Sequence, residues 1–332
     1  MKCTSARLRK SALLFAVTAS LFAGTSLPAQ QRGQGPAAQV PAPLVRETVT
    51  RKVSTHVWVI PDNNVPVVPN VGIIVGTRAT LVVDPGMGLR NGQAVLRAVA
   101  KLSKNSELYV TSTHFHPEHA SGAAAFPASA KYIVSEMQER DLQELGPDMA
   151  RQFASRSAAM ADLLRDSTFR KPDITFDKTY ELDLGGVKAT FLSVGPTHTR
   201  GDTAIWVQDE KDGVIFAGDV IMNKTIVAYG QYSSTKAWLD ALARLARLRP
   251  ANDDEPPVVV PSHGGITDAN MIAYQRGFFQ AVESRVQELK EQGRPEPEIL
   301  ASVSDEMKNR YSMWAATNRI PAIVANVYQE MR

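Results

Sequence analysis

The 332-residue chain holds one cysteine, Cys3, so no internal disulfide can form. Charge of one sign is also missing: 37 Lys and Arg face 34 Asp and Glu, a formal net charge of +3. That is too small a surplus for an electrostatic grip on nucleic acid. The longest stretch that is both apolar and free of charge is residues 11–27, and no repeat of solenoid length occurs. What remains is a globular balance of 44% hydrophobic and 21% charged residues. The chain is long enough to bury most of its surface without staples.

The first 29 residues have the composition of an address. Lys2, Arg7, Arg9 and Lys10 precede SALLFAVTASLFAGTSL, and no acid occurs among them. Basic, then apolar, then small and polar is the order of a secretory signal peptide, with cleavage expected after Ala29. The apolar run is short for a spanning helix and diluted by Ser and Thr. Cys3 lies before it, which argues against a lipid anchor. Removal of 1–29 takes four basic residues, no acidic one and the lone cysteine, leaving a charge of −1. The expected mature protein is periplasmic or secreted, without stable membrane insertion or a nucleic-acid partner. It has no thiolate nucleophile or ligand, so any metal must be held by His and carboxylate. Residues 30–43, rich in Gln, Ala, Pro and Gly, form an expected flexible tether.

From there to about Pro261 strand-like and helix-like stretches alternate. Strands are predicted at 57–60, 71–75, 80–83, 108–111, 180–184, 187–194, 203–207, 214–217 and 258–260. Helices are predicted at 91–102 and 236–248, and over 135–164 with a break at Gly146-Pro147. Ser135 followed by Gln138 has the spacing of a capping box. Beyond His263 the pattern is purely helical, with Met271, Phe278, Val282, Val286 and Leu289 on one stripe. The expected organisation is a domain over 44–265 and a helical extension over 266–332.

Histidine is scarce but clustered. The chain has six, His56, His114, His116, His119, His198 and His263, and three fall in His114-Phe115-His116-Pro117-Glu118-His119. This segment follows the strand at 108–111. In extended chain, residues two apart point the same way, so His114 and His116 can converge on one cation. A turn toward 120–125 then aims Glu118 and His119 at a second point. Three later segments also follow strands: Thr197-His198-Thr199-Arg200-Gly201-Asp202, Ala217-Gly218-Asp219 and Pro261-Ser262-His263-Gly264-Gly265. Ligand-type side chains on loops gathered at one sheet edge make a site. A single structural metal is the bland alternative.

In these motifs, over about residues 57–265, the sequence resembles the metallo-β-lactamase superfamily. The resemblance implies an α/β fold, a four-layer αββα sandwich. It assigns His114, His116 and His198 to a first metal and Glu118, His119 and His263 to a second, with Asp219 bridging. Asp84, in Val83-Asp84-Pro85-Gly86, would orient a ligand histidine or the metal-bound water; a plain turn-forming Asp is the alternative. Glu118 and Asp84 are thereby the candidate catalytic acids beside that water. The implied cofactors are two Zn2+, with Fe or Mn as alternatives, and the implied partner is a small-molecule substrate. A metal-bound hydroxide would attack the carbonyl of an ester, thioester, lactone or amide.

The departures narrow the choice. Glu118 stands where the family usually carries Asp and reaches roughly 1.5 Å farther, so the second metal is expected to be shifted or weaker. Asp219, where some lactamases carry Cys, is the glyoxalase II and lactonase choice. His116 stands where flavodiiron relatives have an acid. A periplasmic β-lactamase, an iron-dependent redox protein and a non-catalytic metal binder remain as alternatives.

Other residues have plainer readings. His56 is expected to be structural, and Trp58, Trp206, Trp238 and Trp314 to be packing residues. Tyr229 and Tyr232 are expected in loop packing rather than over the cleft. Lys224 is either a carboxylate partner or a solvated lysine. The 135–164 helices are a lid or an ordinary packed pair. The C-terminal helices shape the pocket, cover a helix layer or form a dimer.

Overall fold

The computed structural model describes residues 42–208, 213–250 and 256–331. The expected leader, 1–29, and nearly all of the tether lie outside them. A seven-stranded sheet contains, side by side in chain order, β1 (Arg51–Lys52), β2 (Val57–Ile60), β3 (Val71–Val75), β4 (Ala79–Val83), β5 (Glu107–Thr111), β6 (Lys131–Ser135) and β7 (Ile174–Phe176). A six-stranded sheet contains β8 (Thr179–Asp183), β9 (Lys188–Ser193), β10 (Thr203–Gln208), β11 (Gly213–Gly218), β12 (Val258–Pro261) and β13 (Thr267–Asp268), again in chain order.

Parallel neighbours need crossovers, and the helices supply them. α1 (Gly88–Leu102) joins β4 to β5. α2 (Pro117–Ala120) and a 3-10 turn at Ser121–Ala125 join β5 to β6. α3 (Glu136–Glu144), α4 (Gly146–Arg156) and α5 (Ala158–Leu164) join β6 to β7. In the second sheet α6 (Thr235–Leu245) lies between the parallel β11 and β12. The chain closes with α7 (Asn270–Glu291), α8 (Glu296–Arg310) and α9 (Ile320–Glu330). Among the described residues, no helix is long and apolar enough to cross a membrane.

Period-two alternation divides the strands between two environments. Val57, Val59, Ile74, Leu81, Val83, Phe191, Ile205, Val207, Val214 and Phe216 form one buried cluster between the sheets. Their neighbours Ile60, Ile73 and Val82 turn outward to meet α1 through Ala94, Val95 and Val99. Leu192, Ala204, Trp206, Ile215 and Val259 turn outward on the other side, under Trp238, Phe278, Phe279 and Val282 of α6 and α7. The result is an αββα sandwich. The sheets approach so closely that a Cβ on Gly72 of β3 would fall inside contact distance of the Phe216 ring.

The predicted strands appear within a residue or so of their expected bounds. β6 and β7 lie where the sequence reading assigned nothing: KYIVS ends on Ser135, the N-cap of α3, and ITF is flanked by Asp173 and Asp177. The helix over 135–164 is broken twice. Gly146-Pro147 opens α4, and Ser157 opens α5 by accepting from the Met160 N–H. Ser135 does cap α3 by accepting from the Gln138 N–H at 3.2 Å, but the Gln138 amide donates to Ser112 instead of returning to close a capping box.

The predicted C-terminal stripe is buried, and α7, α8 and α9 share one cluster with α6 and the second sheet. They form the outer layer of that half of the sandwich, and β13 extends the second sheet beyond residue 265.

Topology sets where the chemistry falls. The C-terminal ends of β4, β5, β11 and β12 and the N-terminal end of β10 lie at one edge. Backbone hydrogen bonds stitch the two sheets there: the Thr203 N–H donates to the Thr113 carbonyl at 2.7 Å, and the Asn70 N–H to the Ser262 carbonyl at 2.6 Å.

Candidate metal centre

Each sequence-predicted residue arrives at that edge on a strand-end loop. His114 and His116 follow β5, and Glu118 and His119 lie in α2, whose Pro117 starts the turn. His198 is carried by the loop between β9 and β10. The Asp202 carboxylate folds this loop by accepting from the backbone N–H and hydroxyl groups of both Thr197 and Thr199. Asp219 follows β11 and His263 follows β12.

The donor atoms form overlapping groups within 4.8 Å: His114 with His116 and His198, His114 with His119 and Asp219, and Glu118 with His119 and His263. His116 Nδ1 lies 3.1 Å from His114 Nε2 and 3.4 Å from His198 Nε2. A tetrahedral zinc with Zn–N bonds of about 2.0–2.1 Å sets its nitrogens about 3.3 Å apart, so this spacing suits a cation. Asp219 stands between the groups, Oδ2 3.7 Å from His198 Nε2 and Oδ1 4.0 Å from His263 Nε2.

The rear nitrogens are tied back. His198 Nδ1 donates to the Ala228 carbonyl at 2.8 Å and His263 Nδ1 to the Val68 carbonyl at 2.9 Å. His119 Nδ1 meets Asp84 Oδ2 at 3.1 Å. Each contact leaves the Nε2 lone pair facing the centre. Glu118 Oε2, His119 Nε2 and Asp219 Oδ1 are buried with no hydrogen-bond partner. Unpaired buried polar atoms are costly, and donors aimed at one place are what a cation satisfies. The residues therefore fit two metals, and the all-N/O donor set is compatible with zinc, iron or manganese.

Asp84 is held in a left-handed backbone conformation, φ 56°, directly after β4. Its carboxylate accepts from the Thr113 N–H and hydroxyl, the Ser262 hydroxyl and His119. It is therefore more than a turn former: it joins the ends of β4, β5 and β12 to one imidazole.

The electrostatics agree. Burial, reinforced by the neighbouring imidazoles, pushes His114 and His116 well below the usual histidine range. Both rings are thus neutral at neutral pH, each keeping one N–H and offering one nitrogen lone pair. Burial acts the same way on His119, but Asp84, Glu118 and Asp219 overcome it and raise His119 to about 9. These acids call for a positive charge at that ring, whether proton or metal. Burial opposes ionisation of Asp219, yet the surrounding histidines bring it down to about 2. Burial raises the Glu118 carboxyl.

A cavity of about 650 Å³ opens over the centre. His116, Glu118, His198, Asp219 and His263 form its floor, with Val65, Val67, Phe153 and Met222 among its apolar walls. Arg156 and Arg319 also line it. The sequence reading missed both, because nothing local in their surroundings marks a site. Phe153, from α4, packs its ring 6.0 Å from that of His116. The helices of 135–164 are therefore packed against the body and wall the cavity at the same time. The C-terminal region also reaches it, through Ala315 and Arg319.

His56 stays away from the centre, bonded to the Val75 carbonyl. Tyr229 stacks on Trp238 and bonds to Thr235, so it packs as expected. Tyr232 is exposed with the Arg200 guanidinium over its ring. Lys224 is exposed and is not among the cavity walls.

A four-layer sandwich with adjoining His–carboxylate clusters at one edge marks the class of metal-binding αββα proteins. Residues 64–263 match the Metallo-beta-lactamase superfamily, and the chain belongs to it. A linear primary-alkylsulfatase from Pseudomonas sp. is 26% identical over 210 residues, which is 55% of this chain and 39% of that one. An acyl-coenzyme A thioesterase of Gallus gallus is 24% identical over 190 residues, 54% of this chain and 67% of that one. The match thus spans well under half of the alkylsulfatase. Among solved structures, the sec-alkylsulfatase Pisa1 from Pseudomonas sp. aligns with a TM-score of 0.61 at 19% identity, over 85% of this chain and 50% of its own. A metallo-beta-lactamase from Pontibacter korlensis aligns with a TM-score of 0.51 at 20% identity, over 70% and 98%.

Proposed function

We propose that the protein is a binuclear, dizinc hydrolase of small acyl compounds, cleaving an ester, thioester, lactone or amide. The observation that carries this reading is the position of Asp219, one carboxylate oxygen toward each histidine cluster, beside buried donors that lack partners. His114, His116 and His198 would hold one cation, Glu118, His119 and His263 the other, and Asp219 both. Such a pair acidifies a water toward a pKa of roughly 7 and polarises a carbonyl oxygen. The chain itself supplies orientation. Asp84 holds the Nδ1 proton of His119, and the Ala228 and Val68 carbonyls do the same for His198 and His263. Phe153 and the wall at Val65 and Val67 keep bulk water from one side.

The test is a substrate screen on zinc-loaded protein, with a chelated control, over lactone, thioester and chromogenic cephalosporin panels. Metal-dependent turnover of lactone or thioester is expected. Cephalosporin cleavage would move the reading to a β-lactamase. Iron in place of zinc on metal analysis, with oxygen uptake, would move it to a redox protein. A second reading, sulfate-ester hydrolysis, is favoured by the relatives named as alkylsulfatases, and an alkyl sulfate belongs in the same screen. Export is part of the proposal and rests on the composition of residues 1–29. A mature N-terminus at Gln30 in the periplasm or medium is the expected finding on fractionation and N-terminal sequencing.

A further inference from the structure

Two guanidinium groups stand on the cavity wall with no part in holding the metal ligands. Arg156 ends α4, exposed, with its guanidinium carbon 3.6 Å from the centre of the buried Phe153 ring. That stacking fixes the cation beside the ring that flanks His116. Arg319 lies in the 3-10 turn before α9 and lines the same cavity. It is half-buried, and its Nη1 donates to the Ile226 carbonyl at 2.9 Å.

The segment that carries Arg319 is firmly placed. Ala315 bridges to Thr225, its N–H donates to the Lys224 carbonyl at 3.0 Å, and its carbonyl accepts from the Ile226 N–H at 3.0 Å. The Asp219 loop and the C-terminal segment are therefore one unit at the cavity rim.

Neither arginine has a carboxylate partner among the described residues. The acids of the cavity are otherwise engaged. Glu118 and Asp219 face the histidine clusters, and Asp62 accepts from the backbone N–H groups of Asn64 and Gly264. Two permanent cations, one held by stacking and the other by a backbone hydrogen bond, line the cavity of the metal centre without a carboxylate partner. Guanidinium groups match oxyanions in shape and charge. The same lining offers apolar surface at Val65, Val67, Phe153 and Met222.

We propose that Arg156 and Arg319 bind an oxyanionic group of the substrate, making the protein selective for acyl compounds that carry a negative charge at the end of a short apolar chain. A hemiester with a free carboxylate is the simplest such compound. The proposal deepens the acyl-hydrolase reading and rests on it.

The experiment pairs two esters of equal reach, neutral 4-nitrophenyl valerate and mono-4-nitrophenyl glutarate, on the zinc-loaded full chain. The expected ratio of kcat/KM favours the glutarate by at least about tenfold, and it falls as salt rises from about 50 to about 500 mM. Arg156→Gln and Arg319→Gln each lower the ratio, the double variant abolishes it, and Arg319→Lys keeps most of it. Melting temperatures of all variants separate loss of selectivity from loss of fold. Calorimetry with pentanesulfonate, which needs no turnover, reads the same cations. Affinity is expected to drop at least about tenfold in the double variant. If neither ester is cleaved, the acyl-hydrolase reading fails, while the calorimetry still decides the role of the arginines. A wild-type ratio near one, or unchanged pentanesulfonate affinity in the folded double variant, overturns the proposal.

Discussion

The nitrogen of His116 faces those of both His114 and His198, so this residue closes one cluster. His116→Ala is expected to abolish metal-dependent hydrolysis and lower metal content, with the far-UV circular dichroism unchanged. Purified variant with wild-type turnover would contradict the mechanism. Glu118 offers a sharper contrast. Its Oε1 lies 3.9 Å from His119 Nε2, and its other oxygen is buried without a partner. Glu118→Asp withdraws the carboxylate by roughly 1.5 Å. Metal stoichiometry or kcat is expected to change, and a variant with both unaltered would remove Glu118 from the centre. Glu118 and Asp219 differ in character through their surroundings: burial dominates at Glu118, while four imidazoles dominate at Asp219.

At the scale of elements, the site depends on strands that bring their ends to one edge. β3 faces β11 across the sandwich, with Gly72 against the Phe216 ring. Gly72→Ala adds a methyl where none fits, and the cost is expected at about 1–3 kcal/mol in urea unfolding. Combining it with Phe216→Leu should recover part of that loss, since neighbouring substitutions couple. Full additivity would show that the two residues do not meet. Short elements were hard to see in advance for a local reason. β6 runs straight into the cap of α3, so its apolar positions merge with the helix that follows, and β7 is three residues between two aspartates. The short α2 was foreseen only as a turn, yet it is what aims Glu118 and His119.

At the scale of the molecule, the C-terminal helices are the outer layer of the second sheet. Removing residues after 265 would bare Trp206, Ile215 and Val259, which α6 alone cannot cover. A chain ending at residue 265 is expected to give little soluble protein and to bind a hydrophobic dye. A folded, monodisperse product would instead support a self-sufficient domain over 44–265. The same helices place Arg319 over the metal centre, so the layer that completes the core also completes the cavity.

The candidate donors and their order are legible in the chain alone. Five of the six histidines and the acids Glu118, Asp219 and Asp84 occupy one edge because strand, turn and ligand are contiguous in each motif, and contiguous signals are legible without a structure. The αββα layering was implied by the resemblance those motifs carry. What joins across sequence distance was set by packing. It brought Asp84 to His119 and Ser262, turned Asp219 toward both clusters, and set Arg156 and Arg319 in the lining of one cavity. An isolated arginine in a helix looks like any solvated charge. What distinguishes these two is the company of residues roughly forty to two hundred positions away along the chain, which only packing can supply.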